Sequence, residues 1–206
     1  MNEDDRCKVA GIILAAGAAS RMNRIKQLLP FQGKTLLGHV IEKAVRSSLS
    51  EVIVVLGRYA DIIQRVMDVE SFPKTRVVIN QNWDKGQSTS LQAGLAAVSA
   101  NCEGAMCILG DQPLIDVRVI DTLISEYHRT KAPLVIPTCR GRRGNPVVIH
   151  RSLFPQLKSL TGDVGARAFF EEYAEQIVEI EVTNYGIHLD IDTWQDYLRL
   201  KTTRTD

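Results

Sequence analysis

An α/β fold, a parallel sheet covered by helices on both faces, is what this sequence predicts, on three observations. Short β-branched runs alternate with longer helical patterns over most of the chain, the cadence of strand–helix–strand units. The strand candidates at 9–14, 51–56 and 104–109 are apolar at nearly every position, as strands buried on both faces are. The chain has 206 residues, enough for one well-filled core, and no stretch rich in Pro, Gly or Ser divides it. One domain over 1–206 is the expectation.

The elements follow in order. Residues 9–14 form the first strand. Residues 36–47 read as a helix because Leu37, Val40, Ile41 and Ala44 fall on one stripe. Residues 51–56 are a second buried strand, and 60–66 a helix. A third strand at 76–80 precedes a helix at 88–98 carrying Leu91, Leu95 and Val98; a fourth at 104–109 precedes a helix at 117–129. The second half is less regular. Strands are expected at 133–137 and 146–150 around a loop rich in Gly and Arg at 139–144. Helices follow at 152–160 and 164–173, a strand at 176–182 and a closing helix at 193–201.

Composition narrows the function classes. A formal net charge of +1 lacks the basic excess of a nucleic-acid binder, and no apolar run approaches transmembrane length. The acidic, polar residues 1–6 differ from a secretory leader, so the cytoplasm is the expected compartment. Cys7, Cys102, Cys107 and Cys139 form no C-x-x-C pair and lie apart from the histidines in sequence, which suits reduced packing thiols rather than a zinc site.

Ligands of open α/β sheets bind beyond the carboxyl ends of the strands, which directs attention to 15–26, 80–90 and 110–113. After the first strand the chain runs through small residues, Ala15, Ala16 and Gly17, and then places Arg21, Arg24 and Lys26 in one loop. Small side chains admit a ligand to backbone N–H groups, and the cations suit phosphate oxygens. An ordinary turn with a solvated basic face is the competing account. Two other phosphate loops are absent: the dinucleotide fingerprint needs three glycines where only Gly17 occurs. Gly33-Lys34-Thr35 would be a P-loop only with glycine in place of Leu28.

Gly110-Asp111-Gln112-Pro113 puts a carboxylate directly after a buried strand, where it suits Mg²⁺ or, equally, a turn cap. Asp190-Ile191-Asp192 offers two more carboxylates that face one side if the backbone is extended; Asp192 or Thr193 would also serve as a helix cap. Gly86, Ser88 and Ser90 open a helix, with hydroxyls and free N–H groups for a base or phosphate, or simply a cap. Asn145, Asp163 and Arg167 lie in the irregular half, beside the cations Arg140, Arg142 and Arg143, where they would border a second, anionic substrate or merely form turns. No G-x-S-x-G elbow is present, so covalent acyl chemistry is not indicated.

As an ordered set these segments resemble the MobA-like nucleotidyltransferases, particularly the molybdenum cofactor cytidylyltransferases. The resemblance is carried by L-A-A-G-A-A-S-R-M-N-R-I-K at 14–26, L-L-P-F-Q-G-K-T-L-L at 28–37, G-Q-S-T-S-L-Q-A-G-L at 86–95 and G-D-Q-P at 110–113. It continues through R-G-N-P-V at 143–147, G-D-V-G-A-R at 162–167 and D-I-D-T at 190–193. It implies a Rossmann-like three-layer nucleotidyltransferase fold with a mostly parallel mixed sheet. It also implies CMP transfer from CTP to molybdopterin or molybdenum cofactor with Mg²⁺, and a transient contact with a molybdoenzyme or its chaperone. Lys26, Arg21 and Asp111 become the catalytic residues. Leu14, Ala15, Ala16, Gly17, Gly86, Ser88 and Ser90 join them around the nucleotide, and Asp111, Asp192 and Asp190 around the metal. Asn145, Asp163 and Arg167 border the acceptor. The L-A-A-G form at 14–17 matches the cytidylyl branch. Departures are Asn23 where the pattern has glycine, Asn145 where some relatives have histidine, and Gln195 where proline is common. Guanylyl transfer, transfer to another phosphorylated acceptor, an oxidoreductase and a non-catalytic cofactor carrier are the alternatives.

Overall fold

The computed structural model describes residues 8–17, 22 and 24–202. Arg21, Cys7 and Asn23 lie outside the described residues. The first strand, β1 (Lys8–Ala15), is almost fully buried and pairs in parallel with both β4 (Glu51–Leu56) and β6 (Cys102–Leu109). Beyond β4 lies β5 (Thr75–Ile79), also parallel. On the other side of β6 come β9 (Val147–His150), β7 (Leu134–Cys139) and β10 (Ile177–Glu181). The sheet order is therefore β10-β7-β9-β6-β1-β4-β5, and β9 runs antiparallel to both of its neighbours. That strand makes a mostly parallel sheet a mixed one.

Side chains of each central strand alternate between two layers. Ile13 and Val54 face a cluster completed by Leu37, Val40 and Ile41 of α1 (Leu36–Arg46), Ile63 of α2 (Ala60–Val66) and Ile120 and Leu123 of α4 (Val117–Thr130). Ile12, Ile53 and Val55 face the other cluster, closed by Leu91 and Leu95 of α3 (Gln87–Ala97) and Phe154 and Leu157 of the short helix α5 (Phe154–Leu157). Helix–sheet–helix layering follows directly from this alternation. A third, smaller cluster joins Met22, Leu29, Phe31 and Leu36 to Ile191, Tyr197 and Leu200, tying α6 (Trp194–Thr202) to the hairpin β2 (Pro30–Phe31)–β3 (Lys34–Thr35). Thr35, of the G-K-T that mimics a P-loop, caps α1 by accepting from Gly38 N at 3.0 Å.

The expected first-half elements are all present, within one or two residues of the predicted ends. The second half departs in three places. The loop expected at 139–144 includes β8 (Arg142–Arg143), which folds back onto β7. The helix expected at 152–160 is a 3₁₀ turn, Arg151–Leu153, followed by the four residues of α5. The helix expected at 164–173 is a 3₁₀ turn, Ala166–Phe169, and further turns. Its apolar residues, Ala166, Phe169, Phe170 and Tyr173, follow the i, i+3, i+4, i+7 spacing of an α-helix, yet all four pack into the second cluster from a 3₁₀ turn and the turns after it. The segment is too short to sustain an α-helical ladder by itself.

Candidate active site

From β1 the chain crosses to β4 and β5 on one side, and later to β6 on the other. The crevice between the carboxyl ends of β1 and β6 is therefore the switch point of the sheet. A cavity of about 950 Å³ opens there. Leu14 and the small residues Ala15, Ala16 and Gly17 make its first wall. Gly57, just past β4, leaves room for them: a Cβ there would stand 2.6 Å from the Ala16 carbonyl oxygen and 2.7 Å from Trp83 Cβ. Gln27, 3 % exposed, donates from Nε2 to the carbonyls of Ala15 (2.9 Å) and Gly17 (3.1 Å).

Lys26 precedes Gln27 on a 3₁₀ turn, Lys26–Leu28, and reaches into the cavity. Its Nζ lies 2.5 Å from Asp111 Oδ2 and 3.1 Å from Asp192 Oδ1. Burial alone would pull this ammonium down, but Asp111 and then Asp192 outweigh it and hold the pKa above the ordinary lysine value. Lys26 is therefore a cation at neutral pH.

The acids reach this point from two distant segments stitched together by backbone. Ile191 N donates to Asp111 O at 3.1 Å, and Gln112 Nε2 donates to Ile187 O (3.1 Å) and Asp190 Oδ1 (2.7 Å). Ile191 is buried in the third cluster while Asp190 and Asp192 line the cavity. Burial, and next the Asp111 carboxylate, push Asp190 above the usual carboxylate range, against the pull of the Gln112 hydrogen bond.

This donor set suits a hard divalent cation, since it offers carboxylate oxygens and one of them, Asp111 Oδ1, is buried without a hydrogen-bond partner. Among the described residues no three His, Cys, Asp or Glu side chains are grouped to hold an ion by themselves. An Mg²⁺-like ion needs no such cage, because it shares one or two carboxylates with water and substrate phosphates.

The opposite wall is built at the start of α3. Asn80, buried at the end of β5, donates from Nδ2 to Ser90 Oγ (3.0 Å) and Thr89 Oγ1 (2.8 Å). Ser90 lines the cavity, and with Asn80 donating to it, its own proton is left to give. Ser88 is fully buried, off the cavity wall, and its hydroxyl has no partner. The segment 162–163 covers the helix start: Asp163 Oδ1 accepts from Gln87 N (3.1 Å) and Gly162 O from Ser88 N (3.1 Å). Gly86 permits the approach, with φ of +105° and a Cβ position only 2.3 Å from the Gly162 carbonyl carbon.

Toward the third wall, Asn145, Val147, Cys107, Ala166 and Arg167 line the cavity. Burial pushes the Cys107 thiol up to about 12, so it is a protonated floor residue. Arg167 carries its charge toward Asp190 and Cys107. Arg143 pairs with Glu179 at 2.5 Å and Arg140 lies 5.7 Å above the Tyr185 ring; neither they nor Arg142 line the cavity.

A family model for the MobA-like NTP transferase domain matches residues 11–177. The chain belongs to this family. It is 31 % identical over 97 % of its length, and all of the relative's, to nicotine blue oxidoreductase of Paenarthrobacter nicotinovorans. Molybdenum cofactor cytidylyltransferase of Escherichia coli (strain K12) is 27 % identical over 95 % of this chain and 96 % of its own. Among solved structures, Rv0371c from Mycobacterium tuberculosis H37Rv superposes with a TM-score of 0.85 at 27 % identity, covering 96 % of this chain and 99 % of the other. That protein has also been solved in complex with manganese.

Within this MobA-like domain the structure brings Leu14–Gly17, Lys26, Gly86, Ser90, Asp111, Asn145, Asp163, Arg167, Asp190 and Asp192 around one cavity. Ser88 is buried off the wall, Arg24 lies over the Trp194 ring and, with Arg140, Arg142 and Arg143, does not line the cavity, and Arg21 lies outside the described residues. It adds supports given no role from the sequence: Gln27, Gly57, Asn80, Trp83 and Gln112. Asn80, Trp83 and Gln112 lie in the segments 80–90 and 110–113 that the sheet rule singled out, and Gln27 is a polar residue just ahead of Leu28 and Leu29. Gly57 carried no signal until its neighbours were known.

Proposed function

We propose that this protein transfers CMP from CTP to a phosphorylated acceptor of the molybdopterin type, releasing pyrophosphate. The observation that carries the reading is Lys26 Nζ bridging Asp111 and Asp192 beside a wall of small residues at the switch point. A polyphosphate needs a fixed cation and room near the backbone, and a divalent ion needs carboxylates on the same side; the cavity supplies both.

An acceptor phosphate oxygen attacks the α-phosphorus, the bond from that phosphorus to the α,β-bridging oxygen breaks, and pyrophosphate leaves with the electron pair. Two anions must be held together for this, so positioning and charge neutralisation carry the catalysis. Lys26, with Arg21 from the resemblance, neutralises the leaving phosphates. Asp111 and Asp192, with Asp190 beside them, would hold Mg²⁺, which would supply charge neutralisation at the α-phosphate. Ala16, Gly86 and Ser90 border the nucleoside; Arg167 and Asn145 border the acceptor, with Asp163 fixing the loop between them. The L-A-A-G form at 14–17 resembles the cytidylyl branch of the family, which supports CTP over GTP in this reading.

The test is pyrophosphate release from CTP, GTP, ATP and UTP with Mg²⁺, with and without molybdenum cofactor. Cofactor-dependent release from CTP alone is expected; release from another nucleotide, or independent of the cofactor, overturns the substrate assignment. The likeness to an oxidoreductase adds one arm to the panel, NADH oxidation followed by absorbance, for which no change is expected.

A further inference from the structure

We propose that Gln27 is the positioning residue of the phosphate-binding loop, acting through the Ala15 and Gly17 carbonyls rather than on the substrate. The inference rests on the triphosphate reading of that loop.

A loop that receives phosphates must turn N–H groups toward them and carbonyl oxygens away, because a carbonyl oxygen repels a phosphate oxygen. Ala15 is the last residue of β1, paired with Leu56, and Gly17 lies two residues past the end of the strand. Gln27 Nε2 donates to both of their carbonyls at once, at 2.9 Å and 3.1 Å, drawing both toward one buried amide. The amide is adjacent in sequence to Lys26, whose ammonium reaches the acids. One short turn, Lys26–Leu28, thus places the cation and the loop together.

The fold uses only one end of this amide. Nε2 satisfies two carbonyls of the loop, while Oε1 is buried and makes no hydrogen bond. Methionine would pack in the same space and remove the orphaned oxygen, but it would also leave the Ala15 carbonyl buried without its donor. A glutamine that fastens two carbonyls of the loop points to a role in ligand binding.

The experiment uses the whole chain, with Gln27→Met and Gln27→Glu. Binding of Mg²⁺–pyrophosphate and of Mg²⁺–CTP is measured by calorimetry, with cytidine as the ligand that lacks phosphate, and thermal unfolding is followed in parallel. Both variants are expected to lose affinity for pyrophosphate and CTP together, by about tenfold, and to change little toward cytidine. In turnover, KM for the nucleotide rises about tenfold while kcat moves by less than about threefold. Gln27→Met loses the orphaned Oε1 and the donor to two carbonyls together, so it is expected to stay folded and to unfold within a few degrees of wild type. Wild-type pyrophosphate affinity in a folded Gln27→Met protein overturns this inference alone. If Gln27→Met fails to fold, unchanged affinity in Gln27→Glu does the same. Wild-type protein that binds neither pyrophosphate nor any nucleotide overturns the nucleotide reading and this inference with it.

Discussion

The Lys26 ammonium stands 2.5 Å from the Asp111 carboxylate, across 85 positions of sequence. Lysine and aspartate here neutralise one another, and each is also the group that the proposed reaction requires for something else. A triphosphate claims the lysine and a divalent cation claims the aspartate, so either ligand arriving by itself must break the pair, whereas both together satisfy both ends.

Metal and nucleotide are therefore expected to bind cooperatively. By linkage, CTP should tighten Mn²⁺ binding by about fivefold or more, within the usual range of such couplings, and Mn²⁺ should tighten CTP equally. Lys26→Met should tighten Mn²⁺ binding in the absence of nucleotide, while weakening CTP. Mn²⁺ titrations followed by electron paramagnetic resonance, with and without CTP, decide it; weaker metal binding by the variant would sink the idea.

Asp111→Asn keeps the shape of the side chain and an acceptor for Lys26, but removes its charge. Turnover should fall by about 10²-fold or more, the scale of losing one electrostatic contact to a transition state. Thermal unfolding should move by only a few degrees, because the pair is partly solvated and the lysine keeps Asp192. Chelation should abolish turnover in the wild type, and Mg²⁺ or Mn²⁺ should restore it. Turnover in Asp111→Asn at the wild-type rate removes the residue from the reaction.

Asp190 gives a pH signature. Its folded-state pKa is raised above the unfolded value of 3.8 by burial and by Asp111, so between those two values the folded protein holds more protons than the unfolded one. Stability from this group is present at low pH and lost as pH rises through the folded pKa. Asp190→Asn keeps the acceptor for Gln112 and never ionises. It should therefore unfold at a higher temperature than wild type at pH 7, with the difference vanishing as pH falls toward 3.8. Melting curves at a series of pH values check this; an advantage that grows on acidification contradicts it.

Two glycines separate the walls of the cavity. In Gly86→Ala the new Cβ meets the Gly162 backbone at 2.3 Å and the left-handed φ is strained, a cost of about 1–3 kcal/mol. For a chain of this size that lowers Tm by about 2–4 °C per kcal/mol. Gly57→Ala pushes instead on the Ala16 carbonyl, so its effect should appear chiefly in nucleotide affinity, as a loss of about tenfold, or about 1.4 kcal/mol. Melting temperature and CTP affinity measured on both variants separate them, and a Gly57→Ala protein with wild-type affinity argues that Ala16 does not face the nucleotide.

The first half of the fold was legible because its strands are continuous apolar runs and its helices carry a single stripe, as Leu37, Val40, Ile41 and Ala44 do. Residues 164–173 misled because an apolar spacing of three and four serves an α-helix and a 3₁₀ turn alike. Tertiary contact of Ala166 and Phe169 decided between them. β9 read as a strand, but its direction is a property of its pairing, with β6 in one register and β7 in another.

Residue type and local order already specify the chemistry at hand: a small-residue turn after a buried strand, a lysine beyond it, and aspartates directly after an apolar run and late in the chain. Folding in three dimensions then brings Lys26, Asp111 and Asp192 to one point, turns Ser90 to the cavity and Ser88 away from it, and lets Gln27 and Gln112 fasten the segments bearing those groups. Such facts depend on which strand ends lie side by side and on which carbonyl a buried amide can reach, distances that sequence separation does not encode.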